Sequence, residues 1–170
     1  DMDKVDAISE TDERWAWVEI DLSAIRHNVL EAKHHLSQGT RLLAVVKADA
    51  YGHGAVAVAK MALNSGAEYL AVATVPEAVS LRKAGITAPL MILAQPPVTS
   101  IPILLAYHIL PSIYDAEFAI AYAEMADLHN MRAPFHLAMN TGMNRIGVRY
   151  DQVVEFMQQV AFHRALELVG

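Results

Sequence analysis

Arg41-Leu42-Leu43-Ala44-Val45-Val46-Lys47-Ala48-Asp49-Ala50-Tyr51-Gly52-His53-Gly54 is the stretch that decides the fold. Arg41 to Val46 reads as a strand that is apolar throughout. A strand without polar alternation is covered on both faces, as in a barrel or a doubly wound parallel sheet. The run ends on Lys47 and enters a loop flanked by glycines. Ala55 to Leu63 then has the composition of a helix, closing near Gly66.

This strand–loop–helix unit repeats downstream. Tyr69 to Ala73 reads as a strand, and Thr74 with Glu77 forms a capping box for a helix that stops at Gly85. Leu90 to Leu93 is a strand, followed by the Pro-rich loop Gln95 to Pro97 and a short apolar helix at Ile101 to Ala106. A short strand near Tyr107 to Leu110 precedes a helix over Ile113 to Leu128. Phe135 to Met139 is a strand, Asp151 to His163 a helix, and Leu166 to Val169 starts one more strand. Upstream, Trp15 to Asp21 reads as a strand. Asp21 caps a helix whose apolar face is Leu22, Ile25, Val29, Ala32 and Leu36. Residues 1–13 read as a flexible tail.

Strands alternating with helices imply a parallel α/β sheet with helical crossovers. About five complete units run from Arg41, with the start of a sixth. A closed eight-unit barrel needs roughly 250 residues. The expected fold is therefore an incomplete (β/α)8 TIM-type barrel over residues 14–170, about five βα units plus an N-terminal strand and helix, truncated before it closes.

Composition narrows the function classes. Apolar residues make up 54% of the 170 residues and charged ones 19%, which excludes a disordered chain. The absence of cysteine removes disulfides, thiolate catalysis and cysteine-based metal sites. Net charge is −6 and the 13 basic residues are scattered, so nucleic acid is not an expected partner. No run is long enough for a membrane span, and residues 1–14 lack the apolar core of a signal peptide. A cytoplasmic protein is expected. The chain begins with Asp rather than Met, which reads as trimming at that end. His27, His34, His35, His53, His108, His129, His136 and His163 share no ligand spacing beyond the adjacent pair at 34 and 35, which reads as a solvated helix end. No metal site is expected. Met61, Met91, Met125 and Met157 fit apolar faces and read as core.

The chemistry concentrates at two strand ends. Lys47 ends an apolar strand, on the side of a parallel sheet where active sites form. By position alone, a strand-end lysine that snorkels to water is the more ordinary reading. Burial there would depress its pKa and free the amine to attack an aldehyde. Tyr51 follows in the Gly52/Gly54 loop, where the backbone can approach a ligand and the hydroxyl can donate to a phosphate. Asp49 and His53 read as loop-shaping residues. The second strand end is Met139-Asn140-Thr141-Gly142-Met143-Asn144-Arg145-Ile146-Gly147. Arg145 offers a planar fork for a carboxylate or phenolate oxygen.

Val45 to Gly54 closely resembles the cofactor-lysine motif of alanine racemases. Met139 to Gly147 resembles that family's strand-five loop, which reads Asp-Thr-Gly-Met, a variable residue, then Arg. Trp17-Val18-Glu19-Ile20-Asp21-Leu22, with Ala24, Ile25 and Asn28, is similar to its N-terminal signature. The resemblance runs from Trp15 to Gly170. It implies pyridoxal 5'-phosphate as cofactor and interconversion of L- and D-alanine through an external aldimine, supplying D-alanine for peptidoglycan. It further implies Lys47 as the Schiff-base lysine and one of two bases, and Tyr51 on the cofactor phosphate. Arg145 would contact the cofactor phenolate and the substrate carboxylate, with Met143 close to that carboxylate. A homodimer is implied for the full-length enzyme, with the second base a tyrosine from the partner's C-terminal domain. The chain stops in what reads as the sixth strand, so these residues by themselves are expected to be inactive.

Two departures matter. Where many alanine racemases carry a carbamylated lysine that props the arginine, this chain has Ala138, and the motif Asp is Asn140. Arg145 would then be held by another anion, by Asn140 or by water, and substrate breadth is left open. A serine or broad-specificity racemase domain, including one cut from a membrane-anchored protein, is one alternative. A non-catalytic pyridoxal-phosphate-binding barrel is another, and the Arg145 loop argues against it.

Overall fold

The computed structural model describes residues 16–170. Its elements are α1 (Leu22–His34), β1 (Leu43–Val45), a tight turn α2 (Lys47–Gly52), α3 (Ala55–Asn64), β2 (Tyr69–Val72), α4 (Val75–Lys83) and β3 (Leu90–Ile92). There follow α5 (Ile101–Ala106), β4 (Ile109–Ile113), α6 (Ala116–Leu128), β5 (Ala133–Leu137), β6 (Met139–Asn140), β7 (Val148–Arg149), α7 (Val153–Val160) and β8 (Leu166–Leu168).

Six strands form one sheet in the order β1-β2-β3-β4-β5-β8, and every pair is parallel. The order follows the chain without reversal. A doubly wound sheet would double back at a switch point, so the winding is that of a (β/α) barrel, left incomplete. The register runs Val45↔Ala71, Ala71↔Met91 and Met91↔Leu110, then Ile113↔Leu137 and Phe135↔Leu168. With all strands pointing one way, every strand's C-terminal end opens onto the same rim.

The strands are buried as their composition demands. Leu70, Val72, Leu90, Ile92, Ile109, Ile113 and Phe135 lie in the core with the inner faces of the crossover helices. On α6 those faces are Phe118, Ala119, Tyr122, Ala123 and Ala126, where the alanines let the helix lie close to the sheet. Tyr122 donates its hydroxyl to Pro134 O at 3.3 Å, and burial pushes its pKa up.

The predicted capping devices form. Asp21 accepts the Ser23 hydroxyl at 2.6 Å, Ser23 N–H at 2.7 Å and Ala24 N–H at 3.3 Å, which together hold its carboxyl below the usual range. Thr74 and Glu77 make the reciprocal capping box of α4. On α1, Leu22, Ile25 and Val29 are half-buried, as is Leu36 just beyond its end, but Ala32 is exposed and no α1 residue is fully buried.

Four expectations need correction. Residues 16–21 form no strand: Trp17 is 73% and Val18 81% exposed, and no described strand lies beside them to accept their hydrogen bonds. Trp15 lies outside the described residues, as does the expected tail. Ile113 ends β4 in register with Leu137 instead of starting a helix, and α6 begins after its cap, Asp115. The strand expected from Tyr107 begins at Ile109, because His108 turns the chain with a φ of 49°. The helix expected from Asp151 to His163 contracts to Val153–Val160 behind a 3-10 turn at Tyr150–Gln152.

Candidate active site

Lys47 follows the buried Val46 at the C-terminal end of β1 and is itself half-buried. The backbone then does something the composition does not announce. Ala48, Asp49, Ala50 and Tyr51 all have φ between 51° and 57°, a left-handed turn built from four consecutive non-glycine residues. Left-handed helix costs an L-residue about 1–2 kcal/mol each, so tertiary bonds must hold it.

They are present. Val46 N–H donates to Ala71 O at 2.8 Å and fixes the entry to the turn against β2. Ala50 N–H returns to Val46 O at 3.0 Å, and Gly54 N–H to Asp49 O at 2.9 Å. The Asp49 carboxylate accepts Ala55 N–H at 2.7 Å at the start of α3, and His53 Nδ1 donates to Ala50 O at 2.9 Å. The Ala50 side chain is buried beneath the turn. Asp49 and His53 thus spend their polar atoms on the turn, as loop-shaping residues do. Ala48 N–H donates to Glu77 Oε1 at 2.7 Å.

Tyr51 stands on the rim with 60% of its surface exposed. A Cβ added at Gly52 or Gly54 would meet nothing within 4 Å, so open space lies beside the backbone that follows Tyr51.

The second cluster sits on the loop after β5. Ala138 N–H donates to Ile113 O at 2.9 Å, and Val148 N–H closes the loop onto Ala138 O at 2.8 Å. Gly147 makes that closure possible. Its φ is 108°, and a Cβ there would lie 2.7 Å from Asn140 N and 2.8 Å from Met139 C. Inside the loop, Asn140 Oδ1 accepts Gly142 N–H and Asn144 N–H, both at 3.1 Å, while its Nδ2 donates to Asn144 Oδ1 at 3.0 Å. Asn144 takes a left-handed φ of 58°. Asn140 therefore shapes the loop's own backbone. Among the described residues, Arg145 makes no salt bridge. Met143 is 77% exposed and Arg145 is also exposed.

The fold brings Lys47, Tyr51, Met143 and Arg145 to one rim. It sets Lys47 and Tyr51 at one edge of the sheet and the Arg145 loop four strands along, with no hydrogen bond joining the two clusters among the described residues. Sequence reasoning missed the left-handed turn and the bond from Ala48 to Glu77. Gly52 and Gly54 were a signal for unusual backbone, whereas nothing local signals a contact 29 residues away. Among the described residues no group of His, Asp and Glu is arranged to hold a metal ion, and no helix is long and apolar enough to cross a membrane.

Comparison with known proteins gives the same fold and its family. Residues 20–170 match the model of the alanine racemase N-terminal domain. The chain is 46% identical over 148 residues to the alanine racemase of Nostoc sp., covering 85% of this chain and 38% of that protein. The crystal structure of alanine racemase from Bacillus anthracis with bound L-Ala-P superposes with a TM-score of 0.83 at 37% identity, over 91% of this chain and 40% of that one. A histidine racemase from Leuconostoc mesenteroides superposes with a TM-score of 0.80 at 27% identity, over 91% of this chain and 41% of that one. The chain thus spans about two-fifths of the length of these relatives. It belongs to the alanine racemase family, whose N-terminal domain it matches from Ile20 to Gly170.

Proposed function

We propose that residues 14–170 form the N-terminal, cofactor-binding part of a pyridoxal-phosphate-dependent alanine racemase, acting in the cytoplasm as a homodimer and supplying D-alanine for peptidoglycan. The observation that carries this reading is Lys47. In a chain of this family, a half-buried lysine follows the C-terminal end of β1 and starts a braced turn that carries the exposed Tyr51.

The residues present suit pyridoxal phosphate. Lys47 brings a primary amine for the aldehyde, Tyr51 a hydroxyl for a phosphate oxygen, and Arg145 a fork for the phenolate oxygen and the substrate carboxylate. The backbone at Met143 also lies toward that carboxylate in this reading. When bound, the cofactor supplies the electron sink that acidifies the amino acid's α-proton. Lys47 Nζ would remove or return that proton on one face. The second base, on the opposite face, comes from outside these residues, from the partner subunit's C-terminal domain. The rigid turn matters because an amine misplaced by even an ångström loses much of its rate.

Borohydride reduction of the full-length enzyme with bound cofactor, followed by peptide mapping, should place the pyridoxyl group on Lys47, and the enzyme should form D-alanine from L-alanine. A label on Lys33, Lys60 or another lysine would overturn the assignment.

A second reading concerns breadth. Ala138 leaves no lysine to brace Arg145, and Asn140 is committed to the loop. Together with the shared fold of the histidine racemase, this favours a site open to larger amino acids. Comparing kcat/KM for alanine, serine and histidine decides it: a clear preference for serine or histidine would displace alanine as the substrate.

A further inference from the structure

Glu77 belongs to the βα unit next to Lys47, and the chemistry above makes no use of it. Its carboxylate is nevertheless shared between two elements. Oε2 accepts Ala73 N–H at 2.9 Å and Thr74 N–H at 3.0 Å, which completes the capping box of α4. Oε1 accepts Ala48 N–H at 2.7 Å across 29 residues of chain. Ala48 is the residue bonded to Lys47 and the first of the left-handed run. The opening N–H groups of a helical turn have no acceptor within the turn, so Glu77 supplies the one Ala48 needs. The bond is short and charge-assisted, which puts it among the stronger hydrogen bonds. Burial alone pushes the Glu77 pKa up, but the N–H donors of Ala48, Ala73 and Thr74 and the Thr74 hydroxyl more than offset it and hold the carboxyl below its usual range. The group is therefore an anion at neutral pH.

We propose that Glu77 is a positioning residue for Lys47: it pins the peptide that follows the lysine to the capping box of the neighbouring βα unit, and so fixes the strand end from which the amine works. This rests on the reading of Lys47 as the cofactor lysine. A capping box needs a carboxylate only at its own helix. The third donor, brought from the strained turn, is what a purely local cap does not explain.

The test uses the full-length protein and two variants, Glu77→Gln and Thr74→Ala. The amide of Gln has one acceptor oxygen, so it cannot serve both Ala48 and the Ala73/Thr74 pair. Thr74→Ala weakens the cap of α4 and leaves the carboxylate on Ala48. Hydrogen exchange over residues 47–54 of the cofactor-free protein should rise roughly tenfold in Glu77→Gln, the factor that goes with losing one bond to a charged group. It should stay at the wild-type level in Thr74→Ala. The rate at which Lys47 is trapped by pyridoxal phosphate and borohydride should fall in Glu77→Gln alone. Should Glu77→Gln fail to fold, Glu77→Asp keeps the charge at the cap but falls short of Ala48, and the same pattern is expected. Wild-type exchange and trapping in the Glu77 variants, or equal changes in Thr74→Ala, would overturn the positioning role. If the wild-type protein is not trapped at Lys47 at all, the cofactor reading fails and this role fails with it. Wild-type trapping with unaltered Glu77 variants sinks the positioning role alone.

Discussion

At Gly147 the chain needs a left-handed φ of 108° and room for two backbone atoms within 3 Å of where a Cβ would stand. Neither obstacle is a flexible side chain. Gly147→Ala should therefore destabilise the protein by more than about 1 kcal/mol, and should do so by opening the loop that carries Met143 and Arg145. Thermal denaturation of the full-length variant gives the stability, and a raised KM beside the lowered Tm gives the loop. An unchanged Tm would show that the loop closes without Gly147. Tyr51 presents a simpler case, because its side chain is exposed on the rim and its ring has little packing to lose. In the proposed role the hydroxyl donates to the cofactor phosphate, and Tyr51→Phe should weaken pyridoxal phosphate binding by ~1–3 kcal/mol while leaving the Tm of the cofactor-free protein in place. A Kd equal to that of the parent would assign Tyr51 another part.

Among the elements, α4 carries the heaviest load for its length. At its N-terminus Glu77 joins the cap to the Lys47 turn. At its C-terminus Arg82 donates to Ile86 O and Ala88 O at 2.8 Å, Tyr107 O at 2.9 Å and His108 O at 3.0 Å. One guanidinium thus ties the end of α4 to the approaches to β3 and β4, and it remains in place although burial lowers its pKa. Arg82→Met keeps much of the stem and loses every donor, and should lower stability by about 2–4 kcal/mol. Urea denaturation checks this, and a loss under ~0.5 kcal/mol would show that water replaces the guanidinium at no cost. The same elements show what the sequence made legible. Strands such as Leu90–Ile92 and the box at Thr74 and Glu77 were readable because apolar run length and cap chemistry are local. Lys47 stood out because it follows an apolar strand, and Arg145 because it lies in the loop after one, each inside a recognisable motif. The left-handed turn was not readable: alanine is a good right-handed helix former, and at Ala48 and Ala50 the hand is set by partners elsewhere, Glu77 and the core. Residues 16–20 failed as a strand for the converse reason. Trp17 and Val18 suit a pleated surface, but strand propensity reports packing against a neighbour, and there is none among the described residues.

For the molecule as a whole the sheet leaves two edges, β1 beyond β2 and β8 beyond β5. Edges are removed in a barrel by closure, and eight strands are the number that closes this winding. Apolar side chains lie bare near both edges: Val45 on β1, and Phe162, Leu168 and Val169 around β8. Open edges and exposed apolar surface both promote pairing between chains. The proposed racemisation asks for more than the rim holds, since moving a proton off one face and onto the other requires a base on each side, and Lys47 serves only one. These 170 residues, expressed by themselves, should then separate the steps that the full-length enzyme couples. Pyridoxal phosphate and borohydride should still label Lys47, because the braced turn is built wholly from Val46 to Glu77. Sedimentation should show self-association, and D-alanine followed with a coupled oxidase should stay at background. A monodisperse monomer would mean that the edges are protected within the chain. Turnover near that of the full-length enzyme would mean that both bases lie among residues 1–170, and the two-sided assignment would have to be withdrawn.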